Sequence, residues 1–327
     1  MNTLYPIKFK SIFKDKIWGG QKIKTVLGKD FSPLPNCGES WEISGVQNEI
    51  SLVENGFLQG NNLQEIIEVY MGDLIGEKVY EKYGIEFPLL IKFIDAADHL
   101  SIQVHPDDKL AKKRHKAYGK TEMWYVIEAD EDAEIITGFN REIDKETYLH
   151  HLNDKTLREI LNIEKTSAGD VFFMPAGRVH AIGKGVLLAE IQQTSDITYR
   201  IYDWDRTDAD GKKRALHTDL ALDAIDYGYH EQYKTNYQVK LNEPSNIITC
   251  DYFNTNILEI EQHIERNYIN LDSFVIYICL SGNLLISDEN KHETPLKTGE
   301  TILIPNSLEE IRLTPKEKSK ILEVYIS

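Results

Sequence analysis

The amino-acid sequence predicts a mainly β protein that contains two related β-barrels and a few helical insertions. Short runs of β-branched and aromatic residues recur along the chain between turn residues, which is typical of sandwiches and barrels. Two of these runs also resemble each other, since residues 169–175 read GDVFFMP and residues 299–305 read GETILIP. This shared pattern of glycine, acidic residue, apolar strand and proline predicts that one barrel architecture occurs twice.

The individual elements are predicted from the same local patterns. Strands are predicted at 40–44, 89–94, 100–104, 122–127, 170–174, 185–192, 199–204, 257–264, 274–281 and 301–305. Helical patches are predicted at 62–69 with a loose continuation to residue 83, at 107–117 and at 145–161. The patch at 107–117 opens with two acidic residues and ends near a glycine, as helices commonly do.

The two barrels are expected to divide the chain at residues 235 and 236, inside a polar stretch at 231–245. Residues 1–235 then form a catalytic barrel with the helical insertions, and residues 236–327 form a C-terminal barrel. In the second copy of the repeated pattern, Glu310 stands at the position that matches His180 in the first copy. We therefore expect only the first barrel to bind a metal.

Composition excludes several classes of partner. The 327 residues carry a formal net charge of -16, so phosphate backbones and anionic lipid surfaces are repelled, and we expect neither nucleic-acid nor membrane binding. An anionic small molecule is still compatible, since a local cationic pocket can override the average charge. Three cysteines without a CxxC pair, and no long apolar segment, predict a cytoplasmic protein.

Four polar residues on or beside predicted strands form a candidate metal site. Gln103 and His105 alternate with apolar residues, so their side chains share one face of a strand. Glu122 begins another predicted strand, and His180 follows a Pro-x-Gly turn. Nitrogen and oxygen donors without a thiolate suit Zn²⁺, with Fe²⁺, Mn²⁺ and Co²⁺ as alternatives.

The simpler interpretation is that these histidines are ordinary packed or surface residues. A single histidine in a strand is more often structural than a ligand, and only the combination of four candidates argues for a metal. Another histidine, His99, has the same strand parity as Gln103 and is a further candidate for lining the pocket. The remaining histidines lie in charged or turn-like contexts.

A third run of polar residues suggests a site for an anion. Glu190, Asp196 and Arg200 have the same strand parity, so they share a face if strand pairing is continuous. An inward arginine needs an anion, which is either Glu190 or Asp196 in a salt bridge or a phosphate or enediolate of a substrate. Lys120 lies two residues before Glu122 and is expected on the same face.

These stretches resemble the type I mannose-6-phosphate isomerases in their short bacterial form, and the resemblance extends over essentially the whole chain. The matching segments are IWGG at 17–20, GESWE at 38–42, LSIQVHPDD at 100–108, GKTEMW at 119–124, PAGRVHA at 175–181 and QTSDITYRIYDW at 193–204. The long members of that family contain an extra helical domain. Here His180 follows Glu122 by only 58 positions, so that domain is absent or reduced to residues 145–161.

The resemblance implies a cupin fold and one Zn²⁺ per chain. It implies an enzyme that interconverts mannose 6-phosphate and fructose 6-phosphate, as a monomer or homodimer, for mannose metabolism and GDP-mannose biosynthesis. The implied zinc ligands are Gln103, His105, Glu122 and His180. The implied catalytic residues are Arg200, Lys120, Asp196 and Glu190, and the implied substrate-binding residues are Ser101 and Glu39.

The implied reaction passes through a cis-enediol after a base removes the proton from C2 of the sugar. The sequence leaves the base open among Asp196, Glu190 and a metal-bound water. Two other functions also stay open from the residues alone. One is a non-catalytic cupin that senses a sugar, and the other is a different metal-dependent cupin enzyme, such as an iron oxygenase.

Overall fold

The computed structural model describes residues 3–207 and 210–326, and the strands of this part of the chain form four β-sheets. The larger sheet of the first barrel runs in the order β2 (Ile12–Lys14), β3 (Glu39–Ile43), β4 (Leu89–Ala96), β11 (Val186–Gln193), β6 (Glu122–Ala129) and β9 (Val171–Met174). The smaller sheet runs in the order β12 (Tyr199–Tyr202), β5 (Ile102–Val104), β10 (His180–Ile182), β7 (Glu134–Phe139) and β8 (Leu161–Lys165).

The second barrel repeats this arrangement. Its larger sheet runs in the order β13 (Ser245–Thr249), β14 (Asn254–Ile260), β21 (Ser319–Tyr325), β16 (Val275–Ser281), β19 (Thr301–Ile304) and β1 (Ile7–Lys8). Its smaller sheet runs in the order β15 (Ile264–Asn267), β20 (Glu310–Pro315), β17 (Asn283–Asp288) and β18 (Glu293–Lys297).

The strand orders confirm the predicted duplication. The order β3-β4-β11-β6-β9 of the first barrel becomes β13-β14-β21-β16-β19 in the second, and β5-β10-β7-β8 becomes β15-β20-β17-β18. The two repeated sequence patterns therefore end in equivalent strands, β9 and β19. One strand crosses between the halves, because β1 from the N-terminus pairs with β19. The division at residues 235 and 236 stays a prediction.

Helices connect the strands and cover their outer faces. They are α1 (Lys22–Thr25), α2 (Leu63–Tyr70), α3 (Gly72–Ile75), α4 (Glu77–Tyr83), α5 (Asp108–His115), α6 (Lys145–Asn153) and α7 (Thr218–Ala221), with one turn of 3-10 helix at Leu157–Glu159. The predicted start of α5 is confirmed, because the Asp107 side chain accepts a hydrogen bond from the backbone N–H of Leu110 at 2.8 Å. None of the described helices is long and apolar enough to cross a membrane.

Apolar layers cover both faces of β4, and they explain why its sequence does not alternate between apolar and polar residues. The outer faces of the two larger sheets pack against each other, and Leu89, Ile91 and Phe93 of β4 lie in that layer. The inner face of β4 looks into the first barrel, where Ile94 joins a second cluster. Since both faces of this strand are buried, its sequence is a nearly continuous apolar run rather than an alternating one. Lys92 and Asp95 are the charged residues in this strand, and Lys92 points into the barrel.

All ten predicted strands overlap observed ones, but two sequence predictions were wrong in detail. Residues 257–264 are not one strand, because β14 ends at Ile260 and β15 starts at Ile264 in the opposite sheet. The helical patch at 145–161 ends early, since Leu161 already belongs to β8. Strands such as β20 were missed because charged residues occupy their exposed face and interrupt the apolar signal.

The interior of the second barrel contains a buried carboxylate that is fully paired. The guanidinium of Arg266 donates to both oxygens of Glu323, at 2.9 and 3.1 Å. The side-chain amide of Asn256 and the hydroxyl of Tyr268 donate to the same carboxylate, and Tyr277 bonds to Tyr268. A buried charge with this many donors is compensated locally, so the second barrel has no unmet need for a cation at this point.

Removal of this carboxylate should therefore destabilise the second barrel. We expect Glu323→Ala to lower the free energy of unfolding by about 3–5 kcal/mol, because the partly buried Arg266 and the buried Asn256 and Tyr268 all lose their common acceptor. Chemical denaturation, monitored by tryptophan fluorescence and circular dichroism, measures the change in the free energy of unfolding. The control is Arg312→Ala, which breaks an exposed pair with Glu265 and should cost less than about 1 kcal/mol. Equal losses in the two variants would show that the buried cluster is not a stabilising element.

Candidate metal centre and active site

Three predicted ligands meet at one end of the first barrel. His105 lies just after β5, Glu122 is the first residue of β6, and His180 is the first residue of β10. Their ligand atoms all lie within 4.8 Å of one another, and all three side chains are buried. The Nε2 atom of His180 lies 3.4 Å from Oε1 of Glu122, and that of His105 lies 3.6 Å from Oε2. The pairing of β5 with β10 thus brings together residues that are far apart in sequence.

The backbone orients both imidazole rings for metal binding. Nδ1 of His105 lies 2.8 Å from the carbonyl oxygen of Ile197, and Nδ1 of His180 lies 2.9 Å from that of Arg178. Because a carbonyl only accepts, each Nδ1 must carry the hydrogen, which leaves Nε2 unprotonated on both rings. The ammonium of Lys120 lies 3.2 Å from Nε2 of His105 and donates to it. Burial lowers the pKa of both rings, to about 4 for His180. Both histidines are therefore neutral near pH 7, the state that binds metals.

The carboxylate of Glu122 is only partly compensated by the protein. It is fully buried, and its Oε2 accepts a hydrogen bond from the ammonium of Lys120. Its Oε1 has no hydrogen-bond partner. A buried carboxylate oxygen without a partner is costly, and here it faces the lone pair of His180. A divalent cation satisfies all of these donors at once, so the residues present fit a metal ion.

Gln103 completes the predicted set of four. It lies opposite His180 in the pairing of β5 with β10, and its side-chain amide lies 3.3 Å from Nε2 of His180. The amide oxygen is a neutral donor, and a half-turn of the amide exchanges the positions of its oxygen and nitrogen. The structure therefore gathers Gln103, His105, Glu122 and His180 at one point, of which strand parity predicted only the shared face of Gln103 and His105.

The metal group borders a cavity of about 490 Å³, a size typical of ligand pockets. Every other residue predicted for the active site lines this cavity: Glu39, Ser101, Lys120, Glu190, Asp196 and Arg200. Glu39, Glu190 and Arg200 lie on β3, β11 and β12, whereas Ser101, Lys120 and Asp196 lie in segments next to β5, β6 and β11. The prediction for His99 was wrong, since His99 packs on Trp204 at 4.9 Å and borders a different cavity.

Sequence reasoning missed several residues that also line the cavity, of which Lys92 is the most informative. It is 6% exposed, and its ammonium lies 3.2 Å from Glu190 and 4.0 Å from Glu39. A lysine in an otherwise apolar, doubly buried strand is expensive unless it is paired. This polar interruption of the apolar run 89–94 was the signal. The other missed lining residues include Trp18 and Trp41, which lie in the IWGG and GESWE segments, and Lys14, Lys16 and Arg214, which no local pattern marks.

Charges within the cavity are strongly coupled. Burial by itself raises the pKa of Glu190, but the charges of Lys120 and Lys92 and a 2.8 Å hydrogen bond from Trp124 outweigh it and hold the pKa well below its usual range. For Lys120, burial lowers the pKa, but Glu122 and Glu190 outweigh burial and raise it. Both groups are therefore charged near neutral pH.

The second barrel has different side chains at the equivalent position. Glu190 lies opposite Trp124 in the sheet, and Glu323 on the equivalent strand β21 lies opposite Tyr277. The position that corresponds to Glu122 holds Val275. Glu310, which the repeated pattern matches to His180, is exposed, and its buried neighbour Ile311 has no ligand atom in its side chain.

Comparisons with known proteins agree with this geometry. Residues 7–142 match the family described as phosphomannose isomerase type I, catalytic domain. The chain is 36% identical over 321 residues to the mannose-6-phosphate isomerase ManA of Bacillus subtilis, which covers 95% of this chain and 96% of that protein. It is 35% identical over 305 residues to the mannose-6-phosphate isomerase of Streptococcus mutans, with 93% of each chain covered.

A solved structure gives the same result for the fold. The mannose 6-phosphate isomerase from Bacillus subtilis superposes with a TM-score of 0.88 at 31% identity, over 98% of this chain and 99% of that one. A mannosephosphate isomerase homologue from Archaeoglobus fulgidus, at 21% identity and a TM-score of 0.80, shares the fold. The predicted architecture of two cupin barrels is confirmed, and the chain belongs to the type I phosphomannose isomerase family.

Proposed function

We propose that this chain is a zinc-dependent isomerase that interconverts mannose 6-phosphate and fructose 6-phosphate through a cis-enediol. The observation that carries the proposal is the buried group of Glu122, His105 and His180 at the edge of a cationic cavity. Membership of the family supplies the reaction, and the cavity supplies the residues that fit it. We also propose that residues 1–235 contain the whole active site, since all residues that line the cavity fall between Lys14 and Arg214.

Zinc is the proposed metal because the donors are two neutral imidazoles, one carboxylate and one amide oxygen, without a thiolate. The proposed ligands are Gln103, His105, Glu122 and His180. When bound, zinc supplies Lewis acidity toward the O1 and O2 region of the sugar. A single anionic ligand leaves the centre with a net positive charge, which suits a substrate that develops negative charge.

The charge of the cavity supports a sugar phosphate as the substrate. Six cationic and four anionic side chains line the cavity, although the whole chain has a net charge of -16. The cationic side chains are Lys14, Lys16, Lys92, Lys120, Arg200 and Arg214. A positive cleft in an acidic protein concentrates anions locally and guides them to the site.

The cavity residues divide the remaining work. In the reaction, a base takes the proton from C2 and returns it to C1, while a hydroxyl proton shifts from O2 to O1. The ammonium of Lys120 and the guanidinium of Arg200 are proposed to stabilise the negative charge of the enediol stage. Ser101 and Glu39 offer a hydroxyl and a carboxylate for hydrogen bonds to the sugar hydroxyls.

The geometry favours Asp196 over Glu190 as the base. Glu190 pairs with Lys92 and accepts from Trp124, and its lowered pKa makes it a weak base. Asp196 also lines the cavity, and within the described part of the chain it has no ion-pair partner within 4.0 Å. We therefore assign proton transfer to Asp196. We assign to Glu190 the role of holding the positively charged Lys92 in position in the cavity.

The direct experiment is an assay of purified protein for conversion of mannose 6-phosphate to fructose 6-phosphate. We expect activity in the metal-loaded protein, loss of activity after chelation, and recovery when Zn²⁺ is returned. Full activity after metal removal verified by elemental analysis would refute the zinc proposal. Saturable sugar-phosphate binding without turnover would favour a sensing cupin, and oxygen consumption that follows iron content would favour an iron oxygenase.

His180→Ala should lower metal occupancy and activity together. The loss of affinity should exceed the roughly 10–100-fold that follows removal of an outer hydrogen-bond partner, because a ligand itself is lost. Elemental analysis and competition with a chelating dye measure the occupancy. His99→Ala is the matched control, since it removes a histidine that borders a different cavity. A fully metallated and fully active His180→Ala protein would remove His180 from the site.

The base assignment predicts a contrast between two isosteric variants. Asp196→Asn should lower kcat by about 10²–10⁴-fold, the range for a positioned base, with metal content unchanged. Glu190→Gln should alter KM and kcat together, because Lys92 loses its partner and moves. Single-turnover kinetics and exchange of the C2 proton with solvent deuterium distinguish the two roles. Solvent exchange that survives in Asp196→Asn and disappears in Glu190→Gln would reverse the assignment.

A further inference from the structure

Arg214 is a cavity residue that neither the predicted site nor the proposed mechanism uses. It lies in the segment that follows β12, and this segment folds back along the strand. The backbone N–H of Arg200 donates to Nδ1 of His217 at 3.2 Å, and the N–H of His217 donates to the carbonyl of Arg200 at 2.7 Å. The guanidinium of Arg200 also donates to the carbonyl of Ala215 at 2.9 Å. These bonds place Arg214 next to Arg200 at one end of the cavity.

A buried carboxylate holds Arg214 in place. Asp203 is 6% exposed, and its Oδ2 accepts from Nε of Arg214 at 2.7 Å while its Oδ1 accepts from another nitrogen of the same guanidinium. Arg206 donates to Oδ1 as well, at 2.7 Å. Burial by itself raises the pKa of Asp203, but the hydrogen bonds from Arg214 and Arg206 outweigh it and lower the pKa. Asp203 therefore stays ionised and fixes the plane of the Arg214 guanidinium.

Each of the four lysines of the cavity is paired with a carboxylate. Lys14 pairs with Glu49, Lys16 with Glu39, Lys92 with Glu190, and Lys120 with Glu122.

The arginine end of the cavity differs in this respect. Arg206 and Arg214 share one buried carboxylate, that of Asp203, and Arg206 also lies 3.5 Å from the exposed Asp98. Nε of Arg200 is buried without a hydrogen-bond partner. Burial and the charges of Arg214 and Arg206 lower the pKa of Arg200, and Asp203 offsets them only in part. Among residues 3–207 and 210–326, this end of the cavity therefore has the least compensated positive charge.

We propose that Arg214, positioned by Asp203, binds the phosphate group of the substrate together with Arg200. The inference rests on the proposed function only in taking that substrate to be a sugar phosphate. Guanidinium forks match phosphate oxygens with two parallel hydrogen bonds, and two adjacent arginines are stabilised by a dianion between them. The phosphate then lies at the arginine end, which directs the opposite end of the sugar toward Lys120 and the metal group.

The experiment measures phosphate binding and catalysis in the same variants of the metal-loaded enzyme. Calorimetric titration with inorganic phosphate gives an affinity that does not depend on turnover. We expect Arg214→Ala to weaken phosphate binding by about 10- to 100-fold, the range for a charged hydrogen bond. KM for mannose 6-phosphate should rise by a similar factor, and kcat should change much less. Arg214→Lys should recover part of the affinity, because it retains the charge without the fork.

Two further variants separate binding from structure. Arg312→Ala removes an exposed arginine of the second barrel and should leave both affinity and KM unchanged. Asp203→Asn should weaken phosphate binding, and the double variant Asp203→Asn with Arg214→Ala should be no weaker than Arg214→Ala alone. That non-additivity is expected if Asp203 acts through Arg214, whereas additive losses would reject its positioning role.

The outcomes distinguish this proposal from the proposed function. An active wild-type isomerase whose phosphate affinity and KM are unchanged in Arg214→Ala would overturn the role of Arg214 and leave the isomerase assignment intact. Phosphate binding that depends on Arg214 in a protein without isomerase activity would support the anion site and overturn the function. If Arg214→Ala does not fold, Arg214→Lys decides, since unchanged phosphate affinity and KM in that variant would reject the fork.

Discussion

The buried carboxylate of Glu122 is the constraint on which the rest of the site depends. It lies in the interior of a barrel where one oxygen accepts from Lys120 and the other has no hydrogen-bond partner. Two imidazoles face it, and the backbone holds them in the tautomer that offers a lone pair. A protein retains such an arrangement at a cost in stability, and that cost is offset when a divalent cation binds.

The compensation of charge extends outward from Glu122 through the cavity. Lys120 lies between Glu122 and the region of Glu190, and Lys92 connects Glu190 with Glu39. Because each of these groups depends on its neighbours, changes to one of them alter the charge state and position of the others. The arginine end differs, because the positive charge of Arg200, Arg206 and Arg214 exceeds the negative charge of the buried Asp203. The cavity therefore has a compensated end near the metal group and an uncompensated end that suits an anion.

The duplicated barrel shows that the fold alone does not create this site. Glu190 and Glu323 occupy equivalent strands and equivalent registers, yet their surroundings differ. Around Glu323, an arginine, an amide and a tyrosine satisfy the carboxylate. The position in the second barrel that corresponds to Glu122 holds Val275. The same scaffold therefore supports a stable polar core in one copy and a reactive cavity in the other, depending on which inward positions carry donors.

Much of this was determined by the sequence itself. Alternation along strands placed Gln103 and His105 on one face, the repeated pattern around β9 and β19 indicated two barrels, and the polar residues around Arg200 indicated an anion site. The sequence could not show which strands pair. The pairing of β10 with β5, and the register that brings His180 close to Glu122, therefore appeared only in the tertiary structure. The same holds for Lys92 and Arg214. Their roles depend on long-range contacts. A local sequence pattern can show that a charged residue lies in a buried strand, but it cannot show which distant residue compensates that charge.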